Sequence, residues 1–268
     1  MRHNRRMTTV NRKQPQSLLH GWWKCDEITN GVIPNAAGGD PLIVQNTGSP
    51  WSIAASGQFN SRVSKSAQTS AAFIYGDGPL FDYDSAESFS IWGWIWPDSA
   101  DLTSDGFTKP FFGASTWAAS ESGFTISCYF NNISAIFSNA RDGSSTLASS
   151  MFTLGTVGTK IFLALKYDVA TRKISGSKNG AAFVTAAGAL SEVPFSKTNV
   201  RFNLGNYVLG NTLNPSVTAP DSRNMMGKWD EIGWMRKKAL SDADVSWLYN
   251  SGTGRTYEES ADFGLFRP

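Results

Sequence analysis

Two cysteines and two histidines in 268 residues leave little material for thiol or metal chemistry. Cys25 and Cys128 are too few for a disulfide framework or a four-ligand zinc site, and neither stands at a metal-motif spacing from His3 or His20. They are expected as two buried free thiols, since unpaired cysteine packs as a small hydrophobe, with a single bridge as the alternative. Charge is also sparse, at 17% of residues. No apolar run approaches the roughly 18 residues of a membrane-spanning helix, so no membrane insertion is expected. The first sixteen residues lack the apolar core of a secretory signal, which sets the expectation of a chain made without export. A nucleophile elbow, a phosphate loop and a zinc-protease HExxH are all missing, and with so few histidines a hydrolytic triad is not expected.

Turn formers and aromatics are abundant instead: 25 Gly, 17 Phe and 10 Trp. This balance favours short strands and many turns over long solvent-facing helices. "SFSIWGWIWPDS" alternates strongly before Pro97-Asp98. "GFTISCYFNNISAIFSNARDGS" offers two strands around Asn131-Asn132 and a turn at Asp142-Gly143. "TKIFLALKYDVATRKISGSKNGAAF" gives two strands turning near Asp168, then a third after the hairpin signal Asn179-Gly180. No internal repeat and no dividing linker follow residue 17, so residues 17–268 read as one antiparallel domain preceded by an arm, residues 1–16.

"WDEIGWMRKKALSDADVSWLYNSG" changes period midway. Strict alternation puts Asp230, Ile232 and Trp234 on one strand face and Trp229, Glu231 and Met235 on the other. Then Ser241 can cap a helix with Asp244 at its third position, Leu240 and Val245 form the staple across the cap, and Gly252 suits a left-handed stop.

The order "SFSIWGWIWP", "KIFLALKYDVATRKISGSKNG", "KWDEIGWMRKKALSDADVSWLYNSG" resembles the laminin-G-like, concanavalin A-like lectin domains. The likeness runs from about residue 20 to about residue 257 in element order and is most specific in its last segment. It implies an all-β fold, an antiparallel two-sheet jelly-roll sandwich with one short C-terminal helix that serves architecture. It also implies carbohydrate or surface-ligand binding, and in some members calcium. Carried over residue by residue, the calcium candidates are Asp230 of "WDEIG" and Asp77 of "YGDG", because a hard cation needs several oxygen ligands. Aromatic faces stack on sugar rings, which makes Trp92, Trp94 and Trp117 the carbohydrate candidates, Trp117 first because it lies in a loop of small residues. Glycoside hydrolases share the fold but need two carboxylates flanking the bond, and the nearest grouping, "FDYDSAE" at Phe81 to Glu87, is spaced like a loop.

The arm carries Arg2, Arg5, Arg6, Arg12 and Lys13 and no acid, so the net charge of +2 leaves the remainder at −3. A basic terminus poor in hydrophobic residues orders only where something holds it, and docking on another subunit is the expected role, with nucleic acid the lesser alternative. The combined expectation is a non-enzymatic accessory protein of a virus or phage particle, a capsid decoration located on the virion. Its arm would meet capsid protein and its lectin-like domain would meet cell-surface polysaccharide. A free carbohydrate-binding module is the alternative, and a glycoside hydrolase a more distant one.

Overall fold

In the computed structural model the described residues are 18–46, 51–66, 72–76, 87–98, 109–114, 123–139, 145–186, 202–205 and 225–263. They form two antiparallel sheets packed face to face. The first runs β14 (Val184–Thr185), β13 (Lys173–Lys178), β12 (Ile161–Asp168), β7 (Phe89–Pro97), β16 (Gly227–Arg236), β5 (Ser61–Lys65) and β4 (Trp51–Ala55), with β1 (Leu19–Trp23) also paired to β16. The second runs β11 (Ser145–Thr153), β10 (Asn132–Asn139), β9 (Gly123–Tyr129), β8 (Lys109–Ala114), β15 (Phe202–Leu204), β6 (Ala72–Gly76), β3 (Leu42–Asn46) and β2 (Val32–Ile33). This is the all-β antiparallel sandwich that the sequence implies.

Local chemistry accounts for the hairpins. Phe130 and Asn131 take positive φ between β9 and β10, as do Asn179 and Gly180 after β13, the conformation that a two-residue turn demands. The turn at Asp142-Gly143 lies outside the described residues, as do the arm, Asp77 and Trp117.

The sandwich interior collects Trp23, Phe89, Ile91, Ile95, Phe112, Phe124, Leu163, Trp229, Ile232 and Trp234, with rings in direct contact such as Phe124 stacked on Trp234 at 5.4 Å. Cys25 and Cys128 lie in this core as free thiols. The first sheet is buried on its outer face as well. There Trp92, Trp94, Trp96, Phe162 and Met235 pack beneath α1 (Asp242–Tyr249) through Val245 and Leu248. All nine residues of β7 are consequently buried.

That roof is tied down by polar clips. The Ser241 hydroxyl accepts from the Asp244 amide while the Asp244 carboxylate accepts from the Ser241 amide. Ser90 on β7 receives the Leu240 amide and donates to the Lys238 carbonyl. The helix ends earlier than its glycine suggests: Asn250, at φ 47°, supplies the left-handed cap, and Gly252, at φ 92°, is the last residue of the 3-10 turn Asn250–Gly252 that follows. Asparagine tolerates that region because its short polar side chain bonds locally, here to the Gly254 carbonyl. A second helix, α2 (Tyr257–Phe263), follows and was not foreseen. Thr256 and Glu259 cap it reciprocally.

Candidate functional site

The alternation of β16 breaks at one point. Asp230 pairs with Trp94 of β7, and regular pairing resumes only at Gly233 opposite Trp92. The intervening bulge carries Glu231 at φ 50°, a conformation that costs a non-glycine residue free energy. It also corrects the face assignment, because Trp229 joins Ile232 and Trp234 in the interior instead of opposing them.

The bulge places two carboxyl groups next to one another out of water. Asp230 is 1% exposed and Glu231 3%. Asp230 Oδ2 accepts from the Gln58 amide and Oδ1 from the Glu231 amide, while Glu231 Oε2 accepts from the Trp22 indole. The turn joining β4 to β5 closes over them through Gly57, whose missing side chain is required: a Cβ there would lie 1.9 Å from the Ser61 carbonyl oxygen and 2.6 Å from Asp230 Oδ2. Asp26 grips the same turn, accepting from the Ser61 amide at 3.0 Å and from Asn60 Nδ2 at 3.3 Å.

Burial pushes the Asp230 carboxyl up to about 8, with the Asp26 charge adding to the rise and the Gln58 and Glu231 amides and Arg62 opposing it. Burial, then the neighbouring Asp230, pushes Glu231 up to about 9 against the Trp22 hydrogen bond and the Lys24 charge. At neutral pH this pair holds its protons. The Cys25 thiol beside it is pushed well up by burial and by Asp230, Glu231 and Asp26, so it is no nucleophile.

Cys25, the neighbour of this pair, also lines a cavity of about 230 Å³ together with Lys24, Asp26, Glu27, Ile33, Pro34 and Ala36. Cys25 sits at φ 59°, a left-handed kink just past the end of β1. The opposite wall is clipped to β1 by Asn35, whose Oδ1 accepts from the Trp22 and Ala37 amides, and by the Ala36 amide donating to the Trp22 carbonyl. Lys24 Nζ lies 2.7 Å from Glu258 of α2, which raises the lysine and lowers the glutamate, in both cases chiefly through that hydrogen bond.

The residues singled out in the sequence fall differently. Trp92 and Trp94 are 1% and 2% exposed, packed on Trp22 and Tyr249 beneath the helical roof, so neither offers a ring face to a sugar. Aromatic richness marks a second buried layer here, not a binding platform. Asp230 is at the centre of the acidic pair, while its proposed partner Asp77 is undescribed. Calcium fits these donors poorly: among the described residues no three histidine, cysteine or acidic side chains gather as a metal cage, and both Asp230 oxygens already accept backbone amides. The sequence reading missed Asp26 and Glu231. The "CDE" after "GWWK" was the available signal, but only the pairing of β1 with β16 brings Trp22 to Glu231, 209 positions away.

No family model matches the chain, and no curated protein matches it. Solved structures do. The binding domain of Paraclostridial Mosquitocidal Protein 1 superposes with a TM-score of 0.64 at 13% identity, over 87% of this chain and 52% of that one. The receptor binding domain of botulinum neurotoxin C/D mosaic serotype gives 0.59 at 15% identity, over 87% and 51%. Domain 4 of AbnA, a GH43 extracellular arabinanase from Geobacillus stearothermophilus, solved in complex with arabinotriose, gives 0.58 at 18% identity, over 90% of this chain and all of that one. The chain spans about half the length of the toxin structures it matches. What these likenesses establish is the fold, an antiparallel β-sandwich.

Proposed function

We propose that this domain is a binding module for glycans at a surface. The observation that carries the reading is that its fold matches, over 90% of this chain, all of a domain solved with arabinotriose, while its described polar groups form a cavity and not a catalytic pair. Asp230 and Glu231 are held apart from solvent with their protons on, and Glu87, the only described acid of the "FDYDSAE" grouping, is occupied by Arg236 at 3.0 Å and Lys237 at 3.5 Å. In this reading the chain is not an enzyme and needs no calcium, although a metal held through Asp77 remains a separate proposal that titration with calcium would test. The experiment is a glycan array probed with the full chain, with and without calcium. Retention on arabinan or another polysaccharide is expected, and a blank array in both conditions would remove the proposal.

The finer reading is that the module is carried by its arm. Five cations without an acid in residues 1–16 suit docking on acidic protein surface, with bidentate arginine to carboxylate pairs. A virus or phage particle is the proposed host, with the sandwich projecting outward as a decoration. Trypsin distinguishes the cases. Cleavage at Arg5, Arg6, Arg12 and Lys13 should be fast in the isolated chain and slow in the particle, and equal rates would leave a free binding module.

A further inference from the structure

We infer that the cavity beneath Lys24 and Ala36 seats a single ring of a neutral glycan, with acidic sugars excluded. This rests on the glycan-binding reading and names its site and ligand class. Pockets for drug-sized ligands run from about 300 to 1,000 Å³, so a cavity of about 230 Å³ holds one sugar residue and leaves the rest of a chain outside.

The walls divide as a sugar ring divides. Ile33, Pro34 and Ala36 supply apolar surface for the C–H face, and Lys24, Asp26 and Glu27 supply donors and acceptors for the hydroxyl edge. Each polar wall residue is already fixed from behind: Asp26 by Ser61 and Asn60, Glu27 by the Thr29 hydroxyl at 3.0 Å, Lys24 by Glu258. A carboxylate oxygen keeps a further lone pair after accepting one hydrogen bond, so Asp26 and Glu27 can each receive a sugar hydroxyl, and the Lys24 ammonium can donate a further N–H to a sugar oxygen, without losing the anchor. Groups held in place before binding lose little entropy on binding.

Charge sets the selectivity. Lys24 is neutralised by Glu258, which leaves Asp26 and Glu27 as a local negative excess. A uronic or other acidic sugar would bring a like charge into that field, and its carboxylate would be repelled.

The test is calorimetric titration of the full chain with arabinotriose, maltotriose and trigalacturonate. One or both neutral trisaccharides should bind, and trigalacturonate should bind at least about tenfold more weakly. Ala36→Trp fills the cavity, and Glu27→Gln replaces an exposed charged acceptor by a neutral amide with one acceptor oxygen. Each should weaken the neutral ligand about tenfold, the scale of one hydrogen bond to a charged group or of a blocked contact. Glu27→Gln, on the surface, covers the case in which the bulkier variant fails to fold. Val184→Ser, at an exposed position of the edge strand β14 at the far end of the first sheet, should change nothing. Unchanged affinity in both cavity variants, or loss only in Val184→Ser, overturns this site while leaving the glycan reading intact. An intact chain that binds neither these probes nor any glycan on the array overturns both.

Discussion

Strands β7 and β16 are neighbours in one sheet, and they use burial in opposite ways. β7 is regular. Its Ile91 and Ile95 enter the sandwich, its Trp92, Trp94 and Trp96 enter the layer beneath α1, and every residue is buried. β16 is buried at all but Lys228 and Arg236, yet it is broken by a bulge that lodges two acids where β7 places apolar groups. The regular strand builds two packed apolar layers, while the irregular one buries two protonated acids next to Cys25, a residue of the cavity wall. The lesson is that in this fold function is to be sought where the alternation fails.

The sharpest way to test the architectural half is Trp92→Ala. The Trp92 ring lies over Gly233 and edge-on to Trp22 at 5.5 Å, so its loss opens a void between strands and roof. A destabilisation of about 3–5 kcal/mol in chemical denaturation is expected, the usual range for a buried aromatic. Any folded remainder should keep its glycan affinity, and a selective loss of binding at full stability would restore Trp92 as a ligand contact. Next in size is Gly57→Ala on the other side of the comparison. The added methyl meets the Ser61 carbonyl and the Asp230 carboxyl, and overpacking of this kind costs about 1–3 kcal/mol.

The acidic half also predicts a pH profile. Asp230 and Glu231 keep their protons in the folded chain up to about 8 and about 9 but lose them near 4 when unfolded. Between those limits the folded state binds more protons, so stability falls as pH rises, by up to about 1.4 kcal/mol per pH unit for each group. Below the unfolded values the two contribute no slope. Glu231→Gln keeps an acceptor for the Trp22 indole and removes one titration. Melting from pH 5 to 8 should show a shallower decline for the variant and greater stability than the parent at pH 8. A parent profile that rises over this range would mean the pair is ionised and stabilised by a cation.

How much of this was legible follows from distance along the chain. The Asn179-Gly180 hairpin, the Ser241 and Asp244 capping box and the Leu240 and Val245 pair are set by neighbours a few residues apart, and all appear where the sequence puts them. The acidic pair and its cavity are not local. They need Trp22 beside Glu231 and Asp26 beside Ser61, contacts made only once β1 and β5 have both paired with β16. Strict alternation then misplaced Trp229, because nothing in "WDEIG" announces that Glu231 will adopt a left-handed backbone. Trp92 and Trp94 were misassigned for a related reason: alternation shows that one strand face differs from the other, not that a helix encoded 150 residues later will cover it.

The smallest expected effect concerns that helix. Ser241→Ala removes the hydroxyl that receives the Asp244 amide and leaves that donor to water, at a cost of about 1 kcal/mol. Because α1 roofs Trp92 and Trp94 and contributes no residue to the lining of the cavity, the loss should appear in denaturation while glycan affinity and the pH slope stay those of the parent. If instead the slope flattened, the roof and the acidic pair would be one cooperative unit. Trp22 would then be the link, since it touches Trp92 on one side and donates to Glu231 on the other.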